Sequence, residues 1–252
     1  MITPLKPDRA AWLKGPGHAC STAPANLAHP WKLVLLGPPG VGKGTQAEML
    51  SRQLHACHLS TGDIFRAAAK QDDCMASPAL EQAIELMHQG KLVPDELVFA
   101  LVAERTACLR CRGGFILDGF PRSLQQANDF DALLQRLNLQ LDAVVSYTLS
   151  IEETIHRASG RLTCPRCHAV YHLVSKPPAT PGICDRCGST LTRRQDDHPE
   201  AIRVRMHEYA AITEPLVEHY RQKGNLLEVS AEGSPADVLA RTLTGLYALA
   251  HR

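Results

Sequence analysis

The chain lacks an excess of charge of either sign, with 27 lysines and arginines against 26 aspartates and glutamates and a formal net charge of +1. No field of the whole protein therefore draws it to nucleic acid or to a membrane surface, and any anion site must come from local clusters. It also lacks an apolar run approaching the ~18 residues of a membrane span, and its N-terminus lacks the apolar core of about 7 to 15 residues that marks a secretory signal. A cytoplasmic protein without membrane or nucleic-acid partners is the expectation. Internal repeats and low-complexity segments are missing, and no Ser/His/Asp set stands out among the 12 histidines. Nine cysteines, an odd number, argue against a secreted disulfide scaffold. Residues 1–30 carry Pro4, Pro7, Pro16, Pro24 and Pro30 with no sustained periodicity, and read as a loosely ordered extension. A targeting segment is the alternative there, since Lys6, Arg9 and Lys14 are basic; Asp8 and the prolines count against it.

What the chain does hold begins with Gly37-Pro38-Pro39-Gly40-Val41-Gly42-Lys43-Gly44-Thr45, directly after the apolar run Leu33-Val34-Leu35-Leu36. A short apolar run bounded by glycine and proline suits a buried parallel strand, and Ala47, Met49, Leu50 and Leu54 give the following segment a helical period. Strand, glycine loop and helix together make a phosphate cradle. The glycines let backbone N–H groups turn inward, the helix N-terminus adds partial positive charge, and Lys43 reaches the outer phosphates. The commonest version of the loop places a Ser or Thr after the lysine to hold Mg2+. Gly44 stands there instead and Thr45 follows, so a metal would depend more on the nucleotide and water, which points away from GTPases and motor ATPases.

At 252 residues one α/β domain with insertions is favoured over two unrelated domains. His58-Leu59-Ser60 reads as a brief strand, with Thr61 capping the helix that follows. Helices are expected from Pro78 to about Gln89 and from Pro94 through Val102. Strands follow at Gly114–Asp118, Ala143–Leu149 and Leu226–Val229, and the last helix runs from about Pro235 to Ala250. Helices separate the strands, so the sheet should be mostly parallel and five-stranded.

Cys164-Pro165-Arg166-Cys167 and Cys184-Asp185-Arg186-Cys187 are two CxxC pairs separated by 16 residues. Four thiolates presented from two tight turns complete a tetrahedron with no vacant position, so the metal would be structural, and zinc is the favoured ion over an iron–sulfur cluster, metal-free thiols or disulfides. The intervening Lys176-Pro177-Pro178 and Pro181-Gly182 are poor in core residues, so a metal supplies the cohesion that a hydrophobic core cannot. The insert holds a single aromatic, Tyr171, and no basic stripe, which counts against a nucleic-acid-binding zinc ribbon. Cys108 and Cys111 form a third CxxC, read as buried or half-buried reduced thiols.

Arg66, Arg122, Arg157, Arg161, Arg194 and Arg205 recur beside acids or glycines. One such arginine reads as a surface ion pair. A set of them beside a phosphate loop suits a protein that joins two phosphorylated nucleotides tail to tail and must neutralise about six negative charges. With GPPGVGKGTQ (37–46), STGDIFR (60–66), GKLVPDELV (90–98), GFILDGFPRSLQQA (114–127), HRASGR (156–161) and TRRQDDHPEAIRVRMHEY (192–209) in this order, the chain resembles the adenylate kinases of the long, zinc-containing bacterial type over about residues 31–252.

The resemblance implies an α/β fold, a P-loop three-layer sandwich around a mostly parallel five-stranded sheet, with a helical AMP-binding insert at 60–93 and a zinc lid at 160–197. It implies that Gly40, Val41, Gly42, Lys43, Gly44 and Thr45 hold the ATP phosphates, with Arg157 near the adenine, Arg161 near the phosphates and Tyr171 on the same side. Thr61, Arg66, Val93, Gly119, Arg122 and Gln126 form the AMP pocket. Arg194 and Arg205 bridge the two phosphate chains; Lys43, Arg122, Arg161, Arg194 and Arg205 are thus the expected catalytic set. Asp118 contacts Mg2+ through water, Asp196 and Asp197 orient lid arginines, and Cys164, Cys167, Cys184 and Cys187 bind structural Zn2+. The substrates would be ATP, AMP and ADP, and the protein a monomer. One departure is Leu162, where many relatives have a second arginine after Gly160-Arg161. A kinase for UMP or CMP is the alternative within the same class.

Overall fold

The computed structural model describes residues 9–15, 18, 29–68, 78–88, 93–167, 169–193 and 199–250. Its elements in chain order are α1 (Ala10–Lys14), β1 (Lys32–Leu36), α2 (Lys43–Leu54), β2 (Cys57–Ser60), α3 (Thr61–Ala68), α4 (Pro78–His88), α5 (Asp95–Ala103), α6 (Thr106–Leu109), β3 (Phe115–Asp118), α7 (Leu124–Arg136), β4 (Ala143–Thr148), α8 (Ile151–Ser159), β5 (Arg161–Thr163), β6 (Val170–His172), α9 (Pro199–Glu208), a π-helical turn (Tyr209–Thr213), α10 (Pro215–Gln222), β7 (Leu226–Ser230) and α11 (Pro235–Ala250).

The apolar run of β1 follows from burial on both faces. Leu33 and Leu35 enter one core with Leu50, Val145 and Leu246; Val34 and Leu36 enter the other with Leu59, Leu117 and Phe130. A strand with period two and helices on each side has no face left for polar residues. The five strands are parallel in the order β2-β3-β1-β4-β7, as the alternation of strands and helices predicts.

Register then builds a crevice at the strand ends. Leu35 and Ser60 both pair with Asp118, so the loop after β1, the start of α3 and the acid closing β3 emerge side by side. Beyond β1 the chain turns into α2 on one face of the sheet, and beyond β3 into α7 on the other. The two loops diverge and leave an opening between them, the place where open parallel sheets bind ligands.

Two excursions leave this frame. Helices α3, α4 and α5 lie between β2 and β3 and pack in sequence. The second is the antiparallel ribbon β5–β6, extended by the bridge Thr163 to Thr192, with a small core of Cys164, Ala169, Tyr171, Cys184 and Leu191.

Three local details depart from expectation. Within the stretch read as loosely ordered, α1 is docked: Trp12 is fully buried and α1 packs on α3 and α6, a burial that contributes roughly 2 to 3 kcal/mol. The N-cap at α3 falls to Ser60, whose Oγ accepts from the Asp63 N–H at 3.3 Å. The Thr61 hydroxyl instead donates across to the Gly119 carbonyl at 3.1 Å. Finally, α9 meets α10 through the π turn, closed by an i to i+5 bond from the Glu214 N–H to the Tyr209 carbonyl at 2.8 Å. Pro215 has no N–H and its ring crowds the preceding turn, so the wider turn relieves the clash.

Candidate active site

The loop after β1 can hug a ligand because its glycines do what other residues cannot. Gly40 sits at φ +87°, and a Cβ there would lie 2.8 Å from the Thr154 carbonyl and 2.9 Å from Ala158 Cβ on α8. Val41 anchors the loop in the core beneath. Lys43 opens α2, and its Nζ donates to the loop's own carbonyls of Gly37 at 2.5 Å and Pro38 at 2.9 Å. Burial holds this ammonium down to about 8; Asp118 opposes that fall, while Arg122, Arg205 and Arg161 add to it. One lysine thus feels the charge of cations from the loop after β3, from β5 and from α9.

Asp118 faces this lysine across the crevice. Burial would raise its carboxyl, yet the hydrogen bond from His58 at 3.4 Å, with the charges of His58 and Lys43, holds it below its usual value. A Cβ on Gly44 would approach Asp118 Oδ2 at 3.6 Å, so a side chain in that place would fill the gap that Gly44 leaves beside the acid.

The loop after β3 forms a second cluster. Gly119, at φ +86°, leaves 2.8 Å between the position of a Cβ and Thr61 Oγ1, and its carbonyl accepts from Arg122 Nε at 2.9 Å as well as from Thr61. The buried Gln126 accepts from the Arg122 N–H at 2.8 Å and donates to Asp95 Oδ1 at 2.7 Å; Ser123 donates to Asp95 Oδ2 at 2.5 Å. One amide N–H and one lone pair of Gln126 are left over by these contacts. Thr213 in the π turn donates to the Arg122 carbonyl at 2.8 Å, tying the α9 region to the same loop.

On the other flank, Arg157 donates to Glu153 at 2.8 Å and to the Ala231 carbonyl at 2.9 Å, which fixes it beside the loop between β7 and α11. In the cysteine lobe the four sulfur atoms all lie within 4.8 Å of one another, Cys164 to Cys187 at 3.4 Å and Cys167 to Cys184 at 3.5 Å. A tetrahedral tetrathiolate with metal–sulfur bonds of about 2.3 Å has sulfur–sulfur edges of about 3.8 Å, so the donor set fits one metal ion. Arg186 of this lobe pairs with Glu48 on α2 at 3.1 Å, joining the lobe to the helix that begins at Lys43.

Residues 35–225 match the adenylate kinase family. The chain is 45% identical to an adenylate kinase of Anaeromyxobacter sp. (strain K) over 210 residues, 83% of this chain and 96% of that protein. It is 42% identical to one of Desulforamulus reducens over 207 residues (82% and 95%) and to one of Acidothermus cellulolyticus over 215 residues (85% and 97%). The chain belongs to the adenylate kinase family.

Of the residues expected from the sequence, Lys43, Asp118, Arg122, Arg161 and Arg205 come together at the crevice, and Thr61, Gly119, Arg122 and Gln126 form one hydrogen-bonded group. Thr45 flanks the loop, and Val93 packs against the core that holds Val34 and Leu36. Tyr171 is placed within the cysteine lobe, its hydroxyl accepting from the Asp185 N–H at 2.9 Å and lying 3.5 Å from Cys184 Sγ. Arg194, Asp196 and Asp197 lie outside the described residues, as does the side chain of Arg66. Cys108 is buried, and the half-buried Cys111 shares a 3.7 Å hydrogen bond with Cys57 from β2, a partner its own CxxC does not announce. That hydrogen bond leads the forces holding the Cys111 thiol down at about 6.

His58 and Asp95 escaped the sequence reading. A histidine between Cys57 and Leu59 in a four-residue strand is a weak signal for the first. Asp95 had none, because an acid after Pro94 in a first helical turn reads as an ordinary response to the helix dipole.

No helix among the described residues is long and apolar enough to cross a membrane.

Proposed function

We propose that the chain transfers the terminal phosphoryl group of ATP reversibly to AMP, giving two ADP and balancing the adenine nucleotide pool. The observation that carries this reading is the convergence of Lys43, Asp118, Arg122, Arg161 and Arg205 on one crevice at the strand ends. A single triphosphate needs the loop and its lysine. Cations arriving also from the loop after β3 and from α9 suit a second phosphorylated substrate facing the first.

The loop Gly40–Thr45 with Lys43 holds the ATP phosphates, Arg157 lies along the adenine and Arg161 on the phosphates, with Tyr171 bracing the lid on that side. Thr61, Arg66, Val93, Gly119, Arg122 and Gln126 hold AMP, Gln126 turning its spare N–H and lone pair to the base. Arg194 and Arg205 span both phosphate chains, while Asp196 and Asp197 orient the lid. No general base is required, because the acceptor oxygen of AMP is already anionic at neutral pH. Catalysis comes from in-line positioning and from charge placed around a loose phosphoryl group. Mg2+ carried with ATP supplies neutralisation of the phosphate charge. Asp118, beside the gap that Gly44 leaves open, would hold that ion through water. Closure of the 160–197 lid and the 60–93 insert excludes water as competing acceptor. Cys164, Cys167, Cys184 and Cys187 would hold Zn2+, which would stiffen that lid.

The test is ADP formation from ATP with AMP, CMP and UMP in turn. Turnover with AMP is expected to exceed the others, and Lys43→Ala to reduce it by roughly 100-fold or more with the fold intact. Near-normal turnover in the purified, folded variant would overturn the reading.

A further inference from the structure

Helix α1 lies outside the residues that match the family, yet it is wired to the side of the crevice that the AMP reading uses. Trp12 is fully buried, and its Nε1 donates to the Ser60 carbonyl at 2.9 Å. The Trp12 carbonyl accepts from Arg105 Nε at 2.7 Å, and the buried Arg105 also donates to the Leu101 carbonyl at 2.7 Å. Arg9 donates to Asp63 Oδ2 at 2.8 Å and to the His58 carbonyl at 3.5 Å. One short helix with its preceding residue thus grips the end of β2, the first turn of α3 and the junction of α5 with α6.

The gripped residues are neighbours of the chemistry. Ser60 pairs in register with Asp118 and caps α3, and the next residue, Thr61, is bonded to the Gly119 carbonyl. Asp63 is near enough to Asp118 to push its carboxyl up, and Arg9 sets a positive charge against that acid. His58, whose carbonyl Arg9 reaches, bonds Asp118 through its ring. A shift of α1 would therefore move the backbone that presents Thr61, without touching the loop that holds Lys43.

We propose that α1 is a built-in brace of the AMP half of the site, with Arg9 and Trp12 as positioning residues for Thr61 and the start of α3. This rests on the AMP reading given above. The brace acts by pre-organisation: the hydrogen bonds from Trp12 and Arg9 hold the β2–α3 junction in its binding geometry before the substrate arrives, so the substrate does not have to order it.

Three full-length variants test it. Trp12→Phe keeps an aromatic ring in the cavity and removes the indole N–H; Arg9→Ala removes the ion pair; Arg9→Lys restores its charge. KM for AMP is expected to rise about 3- to 10-fold in each of the first two variants, the amount one hydrogen bond controls, with KM for ATP unchanged and recovery towards wild type in Arg9→Lys. An unchanged KM for AMP, or an equal rise in both KM values, overturns the proposal. Amide hydrogen exchange of residues 60–68, followed in the same variants without nucleotide, separates the brace from the AMP reading. If the wild-type protein makes no ADP from AMP, the reading above falls, and the brace stands only if exchange in 60–68 accelerates in Trp12→Phe and Arg9→Ala. Unchanged exchange there overturns it.

Discussion

Lys43 shows how a single residue links stability to substrate charge. Burial holds its ammonium at about 8, against an ordinary value of 10.5. Between those two values the unfolded chain binds more protons than the folded one, so stability rises with pH across that window as the buried charge is relieved. Bound phosphate reverses the preference by favouring the charged form. ATP binding between pH 8 and 9 is therefore expected to draw a proton onto the enzyme, and KM for ATP to climb as pH passes about 8. Calorimetry in buffers of different ionisation heat measures the uptake, and no dependence on buffer would contradict it. Gly40 gives a steric counterpart. A methyl group there meets the Thr154 carbonyl at 2.8 Å from a backbone at φ +87°, so Gly40→Ala should cost on the order of 1 to 3 kcal/mol of stability and weaken ATP binding. Thermal melts and KM values taken together check both effects.

At the scale of elements, the site is held by joints. Helix α8 fixes Arg157 through Glu153 and the loop after β7. The π turn at Pro215 lets Thr213 reach the Arg122 carbonyl while α9, on the other side of the joint, carries Arg205. The cysteine lobe touches α2 through Arg186 and Glu48, a pair half open to solvent in which Glu48 also holds Arg52 at 2.7 Å. Exposed pairs contribute only about 0.2 to 1 kcal/mol. Arg186→Ala is accordingly expected to raise KM for ATP by no more than about 5-fold and to leave the melting temperature nearly unchanged. A larger loss of stability would mean that the contact is part of the fold rather than a latch.

For the whole molecule, stability divides between two cores on the sheet and a lobe whose own core is five buried residues. So small a cluster would gain its cohesion from a metal held by the four thiolates. Chelation, or Cys184→Ser, is expected to lower the melting temperature by roughly 5 to 10 °C while sparing turnover at low temperature; an unchanged melt would refute a structural metal. Some of this architecture was legible in the chain itself. The run Leu33–Leu36, the glycines before Lys43, the paired CxxC turns and the periodic helix Pro235–Ala250 each declare themselves within a few residues, because strand burial, phosphate cradling, thiolate spacing and helical period are short-range demands. Other features became visible only in three dimensions. Trp12 on Ser60, Cys57 beside Cys111 and Asp95 on Gln126 join residues 31 to 54 positions apart, and contacts of that reach leave no period to read. The cap at α3 went to Ser60 because Thr61 had a partner waiting in the loop after β3. By itself the sequence determined the sheet, the cradle and the thiolate quartet, since local chemistry dictates them. Tertiary structure alone decided that a short N-terminal helix leans on the crevice, because only the packed sheet brings β2, α3 and Arg105 to where Arg9 and Trp12 can grip them.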